Sequence, residues 1–186
     1  MTRIVAGTFG GRRLATPAGR DTRPTSERVR EALFSTLESM LDLSDARIAD
    51  LFAGSGAVGL EALSRGAGHV LFVEADPKAA RVLADNVATL GARACAEVRA
   101  VRVERLLATP PGAPYDVIFA DPPYALSEPD LTAILEALVG HGWLGPEAVL
   151  VVERSSRTPA PRTVPGLTFG RGRRYGETTL WYGRRS

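Results

Sequence analysis

The sequence holds one cysteine, Cys95, one lysine, Lys78, and two histidines, His69 and His141. A single cysteine excludes an intrachain disulfide, and a lone buried thiol suits a reducing compartment, so a cytoplasmic location is expected. Two distant histidines and one thiol give zinc or iron nothing to gather around, and no metal site is expected. No stretch approaches the ~18 consecutive apolar residues of a membrane-spanning helix. The opening Met1-Thr-Arg-Ile-Val-Ala-Gly-Thr8 also lacks the apolar run of an export signal. Membrane and secretory classes are excluded on this reading.

What is present is enough chain for one packed domain with an appendage. The chain has 186 residues, 45% of them hydrophobic, and a chain of that length buries about 70% of its unfolded surface without covalent staples. The net charge is only +2, but it is unevenly placed. Residues 1–30 carry +5 and residues 154–186 carry +7, which leaves −10 for the stretch between them. An acidic body with two basic ends points to a polyanion held by the ends. Of the 23 basic residues, 22 are arginine, which forks onto phosphate and stacks on bases. A genome-wide codon bias accounts for the choice of arginine over lysine equally well. It does not account for the clustering.

The first two dozen residues are rich in Gly, Arg and Thr, with β-prone runs at Arg3–Ala6 and Arg13–Thr16 separated by Gly7, Gly10 and Gly11. They read as a basic hairpin-like appendage. After Arg23-Pro24, Thr25 is placed to cap a helix whose Val29, Leu33, Leu37 and Leu41 share one face. From Ala46 onward, short apolar runs alternate with amphipathic helices. Strands are expected at Arg47–Phe52, His69–Val73, Glu97–Val101, Tyr115–Ala120 and Ala148–Val152. Asp76-Pro77 opens a helix carrying Val82, Leu83, Val87 and Leu90, and Ser127 opens one carrying Leu131, Ile134, Leu135, Leu138 and Val139. Alternation of this kind predicts an α/β fold, a mostly parallel sheet covered on both faces. Leu167–Arg174 and Thr178–Tyr182, around Tyr175-Gly176-Glu177, predict a closing antiparallel hairpin.

Gly54-Ser55-Gly56-Ala57-Val58-Gly59 follows the first strand and opens a helix, a formal match to the dinucleotide fingerprint. Alone the match is weak; its neighbours give it meaning. Asp50, four residues before Gly54, would repel a pyrophosphate. It would attract the ammonium and sulfonium of S-adenosylmethionine, directly or through water. Glu74, ending the second strand, can accept both hydroxyls of a ribose. That residue by itself fits NAD equally well, and the pair Asp50 and Glu74 favours the methyl donor.

The strand Tyr115–Ala120 ends in Asp121-Pro122-Pro123-Tyr124. Ligands of open α/β sheets sit beyond the carboxyl ends of the strands, so Asp121 is expected to face the donor. The Asp121 carboxylate and the Pro122 carbonyl are two rigid acceptors for the N–H groups of an exocyclic amine, and they would aim its lone pair at a methyl carbon. As positive charge shifts from sulfur to nitrogen, the carboxylate stabilises it by about 3 kcal/mol. Tyr124 offers a face on which the base can stack.

Taken together these residues resemble the RsmD-type ribosomal RNA methyltransferases, class I enzymes that use S-adenosylmethionine. The resemblance runs through Arg3-Ile-Val-Ala-Gly7, Gly10-Gly-Arg-Arg-Leu14, Arg23-Pro-Thr25, Val29–Phe34, Asp50–Gly56, Val73-Glu74, Asp121-Pro-Pro-Tyr124 and Gly142-Trp-Leu144. It implies a Rossmann-like sheet of seven strands, mostly parallel with the last antiparallel. A basic hairpin over residues 1–24 would precede the methyltransferase domain over residues 25–186. It implies methylation of a guanine N2 amine in 16S rRNA by Asp121, Pro122 and Tyr124. The donor would be held by Asp50, Phe52, Gly54, Ser55, Gly56, Glu74, Arg102, Val103 and Asp121. Arg102 stands where related enzymes often place a small acidic or amide residue near the adenine, with backbone groups around Val103 as substitutes. Arg12, Arg13, Arg23 and Thr25, with the carboxyl-terminal arginines, are read as RNA contacts. The implied partner is 16S rRNA within a partly assembled small subunit, met by a monomer. Other amino targets, adenine N6 in DNA or a protein glutamine amide, use related tetrads that usually begin with Asn. A non-catalytic RNA-binding assembly factor is the alternative of a different class.

Overall fold

Ile4 and Leu14, each 1% exposed, decide where the amino-terminal segment lies. Burying both draws β1 (Thr2–Arg3) and β2 (Arg13–Leu14) into a short antiparallel pair, in agreement with the expected hairpin. A computed structural model of the chain describes residues 1–18 and 25–186, so Arg23 lies outside the described residues. The described chain divides into two compact units, Met1–Val101 and Arg102–Ser186.

In the first unit, α1 (Glu27–Met40) is capped by Ser26, whose Oγ accepts the Val29 N–H at 3.2 Å. This corrects the expected cap at Thr25. Thr25 is buried, and its carbonyl accepts from Arg30 at 2.8 Å. Val29, Leu33 and Leu37 form the buried face as expected, but Leu41 has left the helix for an extended conformation. The chain turns there because the Asp42 carboxylate accepts the Ser44 N–H at 2.8 Å.

The parallel strands of this unit are β3 (Arg47–Asp50), β4 (His69–Val73) and β5 (Ala96–Arg99), in the order β5-β4-β3. The crossovers are α2 (Ala57–Ser64) and α3 (Pro77–Thr89). Asp76 caps α3 through the Lys78 N–H at 3.2 Å, with Pro77 in the first turn where its missing N–H costs nothing. After His69, strand β4 is apolar and buried through Val73, as a strand covered on both faces must be. Strand β5 ends the order and lies two residues short of the expected Val101. Cys95 closes the 3-10 turn Arg93–Cys95 that leads into it and is exposed. The expectation of a buried thiol is therefore corrected: the turn at the sheet's edge holds the side chain in solvent.

The second unit contains α4 (Val103–Leu107), β6 (Tyr115–Ala120), α5 (Glu128–Gly140), β7 (Leu144–Ser155), β8 (Leu167–Phe169), β9 (Arg173–Tyr175) and β10 (Thr178–Arg185). Strand β6 runs parallel to β7, and β10 runs antiparallel to β7, β8 and β9. The antiparallel last strand is thus present. The expected run Leu167–Arg174 is broken at Gly170-Arg171-Gly172 into β8 and β9, which pair with opposite ends of β10. Strand β7 starts four residues before the expected Ala148, with a register shift against β6 between Tyr115 and Val117. Stacked Tyr115 and Trp143 rings, 5.7 Å apart, fix the start of β6. No helix among the described residues is long and apolar enough to cross a membrane.

Candidate active site

The loop after β3 is shaped by glycine. Gly56 has φ +85°, a conformation that strains any side chain, and a Cβ there would lie 2.3 Å from the Leu83 Cδ1 atom and force that side chain to shift. Gly54 has φ +55° with no atom within 4 Å of a built Cβ, so the space over its backbone is open. Its N–H donates to Glu74 Oε2 at 2.9 Å, and the Asp76 N–H donates to Glu74 Oε1 at 3.0 Å. These two bonds fix the plane of the carboxylate beside the loop. Asp50 is 1% exposed, and its Oδ2 accepts the Gly59 N–H at 3.2 Å in the first turn of α2. It thereby satisfies one of the helix's unpaired donors and places negative charge at its positive end. Ser55 is buried and Phe52 half-buried.

The loop region of the first unit fits an adenosyl donor on the chemistry of its groups. Open space over a backbone N–H lies beside a fixed carboxylate, and carboxylates dominate the charge near the loop. Phosphate would be disfavoured there, whereas a ribose and a cation would not.

In the second unit, β6 delivers Asp121, which is half-buried, and then Pro122, which is buried. The Leu126 N–H donates to the Pro123 carbonyl at 2.9 Å, closing a turn with Tyr124 at its tip. Tyr124 is 86% exposed, a value that matters because burying this ring would have been favourable. Ser127 then caps α5 through the Asp130 N–H at 3.2 Å, as the sequence predicts. Arg154 on β7 pairs with Glu128 in the first turn of α5, which steadies that helix start. Arg102 is exposed at the start of α4, with Glu104 at 3.6 Å, while Val103 is buried. Arg102 and Arg105 line an open cleft of about 540 Å³ together with Pro123, Ala125, Leu126 and Asp130.

Arg12 and Arg13 are exposed on the amino-terminal arm, and Arg12 also donates to the Thr89 carbonyl at 3.1 Å. Arg171, Arg173 and Arg174 approach and form β9, where Arg173 lies 5.7 Å over the Tyr182 ring.

Two residues that matter escaped the sequence reading. Glu61 is fully buried in α2 and accepts the Val5 N–H at 2.8 Å, the Ala6 N–H at 3.0 Å and Arg65 Nε at 3.0 Å. Asn86 is buried on α3 and bonds both the arm and the glycine loop. The signal was available in each case. Glu61 is the one charged residue in the helix segment Ala57–Ser64, and Asn86 interrupts the Leu83, Val87, Leu90 face at helical spacing.

Known proteins match this chain over nearly its full length. A family model described as "Conserved hypothetical protein 95" matches residues 2–184. Ribosomal RNA small subunit methyltransferase D of Escherichia coli is 39% identical over 163 residues, covering 88% of this chain and 79% of that one. The protein of the same description from Haemophilus influenzae is 37% identical over 164 residues, covering 84% and 80%. The solved structure of yhhF from Escherichia coli is similar with a TM-score of 0.85 at 34% identity, covering 99% of this chain and 97% of its own. With this match to both sequence and fold, the chain belongs to the RsmD-type ribosomal RNA methyltransferase family and has the class I methyltransferase fold.

Proposed function

We propose that this chain methylates the exocyclic N2 amine of a guanine in 16S rRNA, using S-adenosylmethionine and acting as a monomer on a partly assembled small ribosomal subunit. The observation that carries the reading is the loop after β6, where a half-buried carboxylate and a buried proline precede a tyrosine that is 86% exposed. A guanine amine has its lone pair delocalised into the ring. Two acceptors, the Asp121 carboxylate and the Pro122 carbonyl, hold its two N–H groups, concentrate the lone pair on nitrogen and aim it at the methyl carbon. Proline contributes a fixed φ and no competing donor. Tyr124 stacks on the extruded base, a contact worth about 1–3 kcal/mol. When bound, S-adenosylmethionine supplies an electrophilic methyl group on a sulfonium. Asp121 would stabilise the positive charge that passes to the amine nitrogen as the N–C bond forms and the methyl leaves sulfur as a neutral thioether, after which the nitrogen releases one proton.

Gly54 leaves room for the donor, and Glu74 takes its ribose hydroxyls. Asp50, being 1% exposed, acts on the donor's positive groups at a distance rather than by contact. Arg102 lies in the exposed cleft beside Pro123, so Val103 backbone groups are the better candidates for the adenine. Glu74→Gln is expected to weaken S-adenosylhomocysteine binding by about 10–100-fold, the value of a charged hydrogen bond. Calorimetric titration measures this, and undiminished affinity would remove Glu74 from the donor site.

Arg12 and Arg13, with Arg23 and the arginines near β9, are assigned to RNA phosphates. Thr25, buried beside Arg30, supports the arm rather than touching RNA. Arg13→Ala with Arg12→Ala is expected to flatten the slope of log K against log salt by about 1–2 while leaving donor affinity alone. An unchanged slope would take these residues off the interface.

The decisive experiment is mass mapping of 16S rRNA from cells with and without the protein. One guanine should lose a methyl group in its absence and regain it with the wild-type chain. Unaltered rRNA, with methyl transfer to DNA or to a protein glutamine instead, overturns the proposal.

A further inference from the structure

Asn86 is 5% exposed and stands on the apolar face of α3. Asparagine is a poor helix former, and a buried amide costs free energy unless its bonds are made. Here three are made, each at 2.9 Å. Oδ1 accepts the Ala15 N–H, and Nδ2 donates to the Ala15 carbonyl and to the Ser55 carbonyl. The side-chain amide pairs with the main chain of Ala15 as a neighbouring strand would, and its remaining proton reaches the glycine loop. Neither aspartate nor an aliphatic side chain can do all three.

The two ends of this bridge are of different character. Ala15 directly follows β2, whose Arg13 and the adjacent Arg12 are exposed. Ser55 lies between Gly54 and Gly56, in the turn whose backbone is held by Glu74. The arm is also pinned to the helix that leaves this loop. Ser64 on α2 accepts the Phe9 N–H at 2.9 Å through Oγ, and its carbonyl accepts the Thr8 N–H at 2.8 Å. Arg12 donates to the Thr89 carbonyl at 3.1 Å, one turn beyond Asn86 on α3.

We infer that Asn86 is a positioning residue that couples RNA binding to donor binding, by tying the amino-terminal arm to the glycine loop. RNA held by Arg12 and Arg13 fixes the arm, the arm fixes the Asn86 amide, and the amide holds Ser55 in the conformation that receives the donor. The coupling is reciprocal, because each ligand that orders the bridge spares the other that cost. The inference rests on the reading that the arm meets RNA and the loop holds S-adenosylmethionine.

The test measures the affinity of the full chain for S-adenosylhomocysteine, with and without small ribosomal subunits from cells lacking the protein. The ratio of the two affinities is the readout. A merely structural loss weakens both measurements together and leaves the ratio unmoved. Wild type is expected to bind on the order of 5-fold more tightly in the presence of subunits, at the lower end of ordinary allosteric coupling. Asn86→Ala is expected to reduce that ratio below about 2-fold. Asn86→Asp, of nearly the same volume, keeps the acceptor for Ala15 N–H but loses the donor to Ser55, and it should reduce the ratio likewise if the alanine variant fails to fold. A wild-type ratio of one, or a ratio preserved in the folded variant, overturns the coupling while leaving the proposed function standing. Failure of wild type to bind S-adenosylhomocysteine at all overturns both.

Discussion

Asp121→Ala is expected to lower the rate of methyl transfer to unmethylated small subunits by about 10²–10³-fold, the loss seen when one preorganised electrostatic group is removed from a reacting centre. The fall should appear in kcat with KM little changed, because the carboxylate matters most once charge has developed on the nitrogen. Donor affinity, measured separately with S-adenosylhomocysteine, should hold within a few-fold, since Gly54 and Glu74 remain in place to bind it. Asp121→Asn keeps an acceptor for the amine but not the charge, and it should retain more activity than the alanine variant. Full methyl transfer by Asp121→Ala would show that the amine is activated elsewhere and would remove Asp121 from the reacting centre.

The second large effect concerns stability. Glu61 and Arg30 have no side-chain exposure and approach to 3.9 Å, with Arg65 bonded to the same carboxylate at 3.0 Å. Arg30 spends its other donors on the Thr25 carbonyl at 2.8 Å, the Thr2 hydroxyl at 3.3 Å and the Arg3 carbonyl. Burial pulls the Arg30 guanidinium below its ordinary pKa, against the opposing pull of Glu61 and Glu27. For Arg65, burial also acts downward, but bonds to Glu61, Glu38 and Glu31 more than reverse it and leave the group above its ordinary value. Both arginines therefore depend on Glu61 for compensation. Glu61→Ala leaves a buried cation without its partner and orphans the Val5 and Ala6 N–H groups. The expected loss is about 3–5 kcal/mol, a fall in Tm of roughly 6–20 °C for a chain of this length. Thermal unfolding measures it. Glu61→Gln, which still accepts hydrogen bonds, should lose less. If Glu61→Ala melts within about 2 °C of wild type, the buried cluster contributes little and the arm is held by its other contacts, among them Ile4, Leu14 and Asn86.

The elements that could be read from sequence are those whose signal is local. Asp76-Pro77 and Ser127 open their helices as predicted because a cap and its first turn involve only near neighbours. His69–Val73 and Tyr115–Ala120 were delimited correctly because apolar runs between breakers leave little freedom. Thr25 and Ser26 are equally good caps by type, and the choice fell to Ser26 because Thr25 is drawn inward beside Arg30. Leu167–Arg174 looked like one strand, yet it is two, since the pairing along β10 changes partner at Gly170–Gly172. Cys95 was expected inside because cysteine usually is, and only its place in a turn before the edge strand exposes it.

The order Gly54-Ser-Gly56, Glu74 and Asp121-Pro-Pro-Tyr124 by itself pointed to an amino-methyltransferase, and Arg23-Pro24-Thr25 with Val29–Phe34 narrowed it to the family. Each of these follows from chemical type at fixed spacing. Tertiary structure alone decided that Asp50 is buried against the Gly59 N–H at the start of α2, that Glu61 anchors the arm and that Asn86 joins it to the glycine loop. These roles depend on partners 9 to 71 residues away along the chain. Burial makes such partners obligatory, because a polar group removed from water must find its bonds wherever the fold supplies them.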